Sequence, residues 1–198
     1  EEVRRTMAHP LLDKIQFSTD RFEMRLSGSG GQGMIFASVI LSKAIGTGDH
    51  AKNVCQSQSY GPEARGGASK SDVVVSSEEI YYPKAMKLDL LLAMTQESLD
   101  KYLPDLKEDG MLIVDSSLVS EYPKERAYAL EFTRMARNDV GQIMVANVIA
   151  LGAIGALTGR VSKEKLTEVV LQHAPKGTEE KNRKAVTMGW DEALKLKK

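Results

Sequence analysis

The chain has 198 residues with 27 basic and 27 acidic side chains, so no global charge points to nucleic acid or an anionic membrane. Hydrophobic residues make up 42%, enough for one domain of ordinary size with its own core. The single cysteine, Cys55, excludes an internal disulfide and a cluster held by several thiolates, and His9, His50 and His173 lack the spacing of a zinc site.

Residues 1–20 are charged, contain Pro10 and show no clear period. They read as an N-terminal tail or extension, with a short helix around residues 11–15. Met7 is a natural start on this reading, and residues 1–6 are an addition. Residues 21–198 are expected to form a single domain. Phe22, Met24 and Leu26 alternate with polar residues and predict a first strand over 22–27, with a partly wet face. Next comes Gly28-Ser29-Gly30-Gly31-Gln32-Gly33, a stretch too rich in glycine for a helix or strand interior. Residues 34–45 are apolar almost all round and predict a buried helix, stopped by Gly46 and Gly48. A strand, a glycine turn and a helix start make a phosphate cradle, because unpaired N–H groups and the helix dipole both favour an anion. Gly28, Gly30 and Gly33 also fit G-x-G-x-x-G spacing. By itself the spacing serves equally for a ligand loop and for a tight turn.

A polar second strand is predicted over residues 53–56 and a β-branched third one over 70–77, around Val73, Val74 and Val75. The connection between them is short, so an antiparallel pair is expected. That connection, residues 59–67, is a second irregular glycine-rich stretch. Residues 88–93 and 111–114 read as strands buried on both faces. Between them Thr95 caps a helix over 96–103, and Pro104 starts a short helical turn that Gly110 ends. Asp115 closes its strand where open α/β sheets place ligand contacts, or else caps the following turn. A short strand is expected at 128–130 and a helical turn at 132–137. Residues 142–157 predict a long helix rich in Ala and Gly, packed closely on the sheet or on a partner chain. It is too short for a membrane span and carries Asn147. Ser162 starts an amphipathic helix with Leu166, Val169 and Val170 on its buried face, and residues 178–196 form a terminal helix anchored by Trp190. The whole predicts an α/β three-layer sandwich with a mixed, mostly parallel sheet and a Rossmann-like glycine loop after the first strand.

Catalytic groups are hard to find. A dinucleotide dehydrogenase wants an acidic residue at the end of the second strand, and Asp49 lies before it. No Lys-Ser/Thr follows the glycines, which excludes a P-loop, and no His accompanies a Ser or Cys in a nucleophile elbow. Arg65 and Lys70, and less so Lys43, could help to hold an anion. The pattern is that of a ligand-binding subunit of something larger, without catalytic or metal-binding residues of its own.

The first loop, Gly28 to Gly33, together with Ser59-Tyr60-Gly61-Pro62-Glu63-Ala64-Arg65-Gly66-Gly67, resembles the gamma subunit of the 2-oxoacid:ferredoxin oxidoreductases. The resemblance extends through the strand at Asp89, Asp115, the helix with Asn147 and the terminal helix from Asn182 to Gly189. Length and stand-alone character favour the 2-oxoglutarate branch, with branched-chain versions close. The resemblance implies a complex that decarboxylates a 2-oxoacid on thiamine diphosphate, passes electrons through iron–sulfur clusters to ferredoxin and transfers the acyl group to coenzyme A. It implies that thiamine and clusters lie in alpha, beta and delta partner subunits, and that this chain is inactive alone. Gly28, Ser29, Gly30, Gly31, Gln32 and Gly33 would face the coenzyme A phosphates, and Tyr60, Glu63 and Arg65 would line the neighbouring wall or the contact with the catalytic subunits. A cysteine-poor chain with no recognisable signal peptide is expected in the cytoplasm, with no contact to membrane or nucleic acid. The alternatives are a purely structural docking subunit and a free-standing dinucleotide-binding oxidoreductase.

Overall fold

Alternating apolar side chains and β-branched runs place six strands in one sheet, ordered β2-β3-β1-β4-β5-β6. The structure, a computed structural model, describes residues 21–48, 53–58 and 67–196. The strands are β1 (Arg21–Ser29), β2 (Asn53–Gln58), β3 (Ala68–Ser76), β4 (Leu88–Ala93), β5 (Leu106–Asp115) and β6 (Ala127–Leu130). Strands β1, β4, β5 and β6 run parallel, while β3 is antiparallel to both β1 and β2. The sheet is therefore mixed, and the expected antiparallel pair of β2 and β3 is present, in register from Asn53 opposite Ser76 to Gln58 opposite Ser71.

The helices are α1 (Met34–Gly46), α2 (Gln96–Tyr102), α3 (Phe132–Met135), α4 (Ala146–Thr158), α5 (Lys163–His173) and α6 (Glu179–Lys195). One face of the sheet carries the larger core, where Phe22, Met24 and Leu26 meet α1 and the helices from α3 onward. The other face carries a smaller core of Leu88, Leu91 and Leu112 under Leu99 and Tyr102 of α2. Thr95 caps α2 as expected, within a capping box with Ser98. Among the described residues no helix is long and apolar enough to cross a membrane.

Several expectations change. Strand β1 has no wet face, because Glu23, Arg25 and Ser27 are buried as well. Their polar groups are matched: Arg25 makes a two-pronged ion pair with Asp72 and a further one with Asp105, and the Ser27 hydroxyl donates to the Leu92 carbonyl. Burial alone would lower the Arg25 pKa, but hydrogen bonds and charge from Asp72 and Asp105 outweigh it and hold it above its ordinary value. Gly110 ends no helical turn. It lies inside β5, where a register shift against β4 brings the strands so close that a Cβ would sit 2.9 Å from the Leu88 carbonyl oxygen. The turn before it is the 3-10 stretch Leu103–Asp105. After α3 the helix widens into a π stretch, Ala136–Val140, and α4 is preceded by a 3-10 turn, Ile143–Val145. The small residues of α4 pack closely against another helix of the same chain, α6. A Cβ at Gly152 would lie 2.3 Å from the Val186 carbonyl oxygen, and one at Gly189 would lie 1.8 Å from that of Ile149. Helices α4 and α6 therefore cross backbone to backbone. The expected N-terminal helix lies outside the described residues.

Candidate functional site

The C-terminal ends of β1, β4 and β5 point to the same rim of the sheet, and the first glycine loop leaves β1 there. Gly31 and Gly33 take left-handed backbone angles, with φ of 93° and 74°, which turn the chain from the strand into α1. Gly33 is the N-cap of α1 and offers no side chain, and the first turn holds no acidic residue. The N-terminal N–H groups of this helix are left to be met from outside it, as an anion site requires.

The inner part of the cradle is occupied by the chain itself. The Gln32 carboxamide oxygen accepts the Ser29 N–H at 2.8 Å, and the same oxygen lies 2.3 Å from where a Gly28 Cβ would be. Gly28 thus serves as the floor beneath Gln32. On the opposite side, Asn147 from α4 donates its amide to the Gly33 carbonyl at 3.3 Å. Its own Oδ1 is buried and has no hydrogen-bond partner among the described residues. Loop and helix are therefore tied together across 114 residues of sequence.

Beside the loop lies a cavity of about 220 Å³ lined by Gly31, Gln32, Met94, Leu118, Arg137 and Met144. Its walls are mostly apolar, and Leu118, Ile143 and Met144 at the rim are exposed. Leu118, Thr133 and Arg137 also border a second cavity of about 370 Å³ with Ser116, Ser117 and Arg134. The two form one cleft, apolar at the glycine loop and basic at its outer end. Arg134 is bound by Glu131, whose hydrogen bond and charge raise its pKa above the ordinary value. Arg137 has no hydrogen bond or ion pair among the described residues and is exposed. Asp115 is not available to a ligand: it is fully buried and accepts hydrogen bonds from the Ser117 N–H and from both the N–H and the hydroxyl of Thr133. The capping alternative holds, with Asp115 joining the end of β5 to the start of α3.

Of the residues singled out in the sequence, Gly31 and Gln32 line the cleft, and Gly28, Ser29, Gly30 and Gly33 shape the loop beside it. Tyr60, Glu63 and Arg65 lie outside the described residues. Lys70 stacks over the Tyr102 ring on the other face of the sheet, and Lys43 meets His173, so neither joins the cleft. The His173 Nδ1 faces the Val169 carbonyl and so carries the proton, which leaves Nε2 to accept from Lys43. Sequence reading missed Met94, Leu118, Arg137 and Met144, because three separate connections, β4 to α2, β5 to β6 and α3 to α4, bring them together. Asn147 was the one visible signal, a polar side chain in an otherwise apolar helix.

The chain matches the Pyruvate ferredoxin/flavodoxin oxidoreductase family over residues 23–192. It is 48% identical over 180 residues to the 2-oxoglutarate synthase subunit KorC of Methanocaldococcus jannaschii, covering 89% of this chain and 96% of that relative. Its fold is similar to the crystal structure of the keto/oxoacid ferredoxin oxidoreductase gamma subunit from Geobacter sulfurreducens PCA, with a TM-score of 0.81 and 48% identity, over 90% of this chain and 99% of that one. The 2-oxoglutarate:ferredoxin oxidoreductase from Magnetococcus marinus, solved with 2-oxoglutarate, coenzyme A and succinyl-CoA bound, shares the fold with a TM-score of 0.77 at 22% identity. That likeness covers 90% of this chain and 32% of the longer one.

Proposed function

The chain belongs to the pyruvate ferredoxin/flavodoxin oxidoreductase family, and from that premise we propose that its own contribution to the reaction is a coenzyme A site in the cleft beside the first glycine loop. It is the gamma subunit of a 2-oxoglutarate:ferredoxin oxidoreductase, which decarboxylates the 2-oxoacid and reduces ferredoxin. Residues 21–198 act as one gamma-type domain after an N-terminal extension. With one cysteine in the sequence, the chain does not supply the thiolates of an iron–sulfur cluster by itself. The family resemblance assigns clusters and thiamine diphosphate to alpha, beta and delta partner subunits. Chemistry of this kind, with ferredoxin as acceptor, suits the cytoplasm.

The observation that carries the coenzyme A reading is the meeting of two unlike surfaces. An apolar pocket of about 220 Å³ is lined by Gly31 and Gln32, of the loop that leads into the uncapped N-terminus of α1, and by Arg137, which has no side-chain partner among the described residues. Coenzyme A has a thin arm of short hydrocarbon stretches interrupted by two amides, and a polyanionic end. The pocket suits part of the arm, and the helix terminus and Arg137 suit the phosphates. For phosphate to reach the loop backbone, the Gln32 carboxamide must release the Ser29 N–H. Gln32 is thus a plug that ligand displaces, and Gly28 gives it room to sit.

Isothermal titration of the assembled complex with coenzyme A tests this reading. Gly31→Arg fills the mouth of the pocket and is expected to weaken binding at least tenfold. Gln32→Ala removes the plug. Since one hydrogen bond is worth about 1 kcal/mol net, its loss should tighten binding roughly fivefold. Unchanged affinity in Gly31→Arg sinks the site. The second reading, a docking subunit alone, draws on the exposed Leu118, Ile143 and Met144 at the rim. It expects Met144→Asp to disturb assembly while coenzyme A affinity ignores Gly31→Arg.

A further inference from the structure

One wall of the cleft comes from the connection between β5 and β6, residues 116–126, which forms turns without a helix or strand. Ser116 and Ser117 line the outer end of the cleft, and Leu118 lines both parts of it. The base of this wall is fixed from β5. The Leu118 and Val119 N–H groups both donate to the Asp115 carbonyl, and the Val119 side chain is buried in the smaller core. Beyond Val119 the chain runs over the surface, with Ser120 and Glu121 exposed. There it meets Gln96, the first residue of α2. The Gln96 Oε1 accepts from the Ser120 N–H at 3.1 Å and from the Glu121 N–H at 3.0 Å. Its Nε2 donates to the Glu121 carbonyl at 2.8 Å and to the Asp100 carboxylate at 2.9 Å. A carboxamide has two acceptor sites and two N–H donors, and here all are used.

These bonds are not what the fold needs. The N-terminus of α2 is capped by Thr95 and Ser98. The backbone groups of exposed residues 120 and 121 would otherwise bond to water, so exchanging water for Gln96 adds little stability. What the bonds add is position. Two residues before Gln96, Met94 lines the same cleft and is 1% exposed. The stretch 94–96 thus supplies one lining side chain and clamps the connection that supplies another. We propose that Gln96 is a positioning residue for coenzyme A, holding the wall at Leu118 in a fixed place relative to Met94 and so setting the width of the cleft. This role rests on the coenzyme A reading above. Gln96 lines neither part of the cleft, so it acts through Leu118 and does not touch the ligand. Without the clamp the wall loses its outer hold, and binding must order it at a cost in affinity.

Steady-state assays and hydrogen exchange on the assembled complex test this role. Gln96→Ala is expected to raise KM for coenzyme A about fivefold, the effect of about one hydrogen bond, and to leave KM for 2-oxoglutarate as it is. The Ser120 and Glu121 amides should exchange about tenfold faster than in the native chain. Asp100→Ala keeps every bond from Gln96 to residues 120 and 121 and should match the native chain in both measurements. The role of Gln96 is overturned if Gln96→Ala leaves KM for coenzyme A unchanged while Gly31→Arg raises it, or if both KM values rise together. It is equally overturned if the two amides keep their native exchange rates, or if Asp100→Ala raises KM for coenzyme A as much as Gln96→Ala does. Should Gly31→Arg leave coenzyme A affinity unchanged, the coenzyme A reading itself fails, and this role with it.

Discussion

Tyr128 is 1% exposed on the last strand of the sheet, and burial pushes its phenol up from 10.0 to about 12. The unfolded chain therefore gives up this proton first. The contribution of Tyr128 to stability is complete below pH 10 and is lost as the pH rises from about 10 toward 12. Two units correspond to roughly 3 kcal/mol at most. Urea melts between pH 9 and pH 11.5 should show a steeper alkaline loss for the native chain than for Tyr128→Phe, about 1 kcal/mol per pH unit or somewhat less. Parallel curves would show that the phenol is not held apart from water. At the same scale, the glycine loop was only half legible in sequence. The need for left-handed backbone at Gly31 and Gly33 follows from glycine itself. That Gln32 folds back over Gly28 does not, because a side chain's choice between ligand, solvent and its own backbone depends on what surrounds it. Asp115 likewise had two readings, and the nearness of Thr133 decided between them.

Between elements, α4 and α6 cross backbone to backbone at Gly152 and Gly189. The run of Ala and Gly in α4 announced a close approach, and its partner proved to be a helix of the same chain. Only at Gly152 and Gly189 do the two backbones leave no space for a methyl group. Gly189→Ala forces them apart or unfolds the last helix. Overpacking of this severity should cost about 3 kcal/mol or more, which is roughly 10 °C in melting temperature for a chain of this size. Gly141→Ala is the comparison. Its Cβ would meet nothing within 4 Å, and only its φ of 75° opposes the change, at about 1 kcal/mol. A calorimetric scan that gave both variants the same melting temperature would refute the crossing.

Across the whole molecule the two sides of the sheet are unequal. One is covered by α1 and the helices from α3 onward, the other chiefly by α2 and the connections beside it. Strands β1 and β4 lie inside the sheet with neighbours on both sides, while β2 stands at its edge. Hydrogen exchange of the isolated chain should be slowest in β1 and β4 and faster by tenfold or more in β2. An even rate over all six strands would contradict the topology. Most of this architecture was written in the sequence by itself. The alternation of Phe22, Met24 and Leu26, the valine run at 73–75, the apolar strands and the glycine stops are local patterns, and local patterns set element type. The paired glycine loops also marked the family. Tertiary structure alone decided the rest: that Arg25 is buried and paired with Asp72, that Gly110 lies within a strand, and that Met94, Leu118, Arg137 and Met144 close a cleft around the glycine loop. Each of these depends on contacts between residues far apart in the chain, and no local pattern records which distant side chain will arrive.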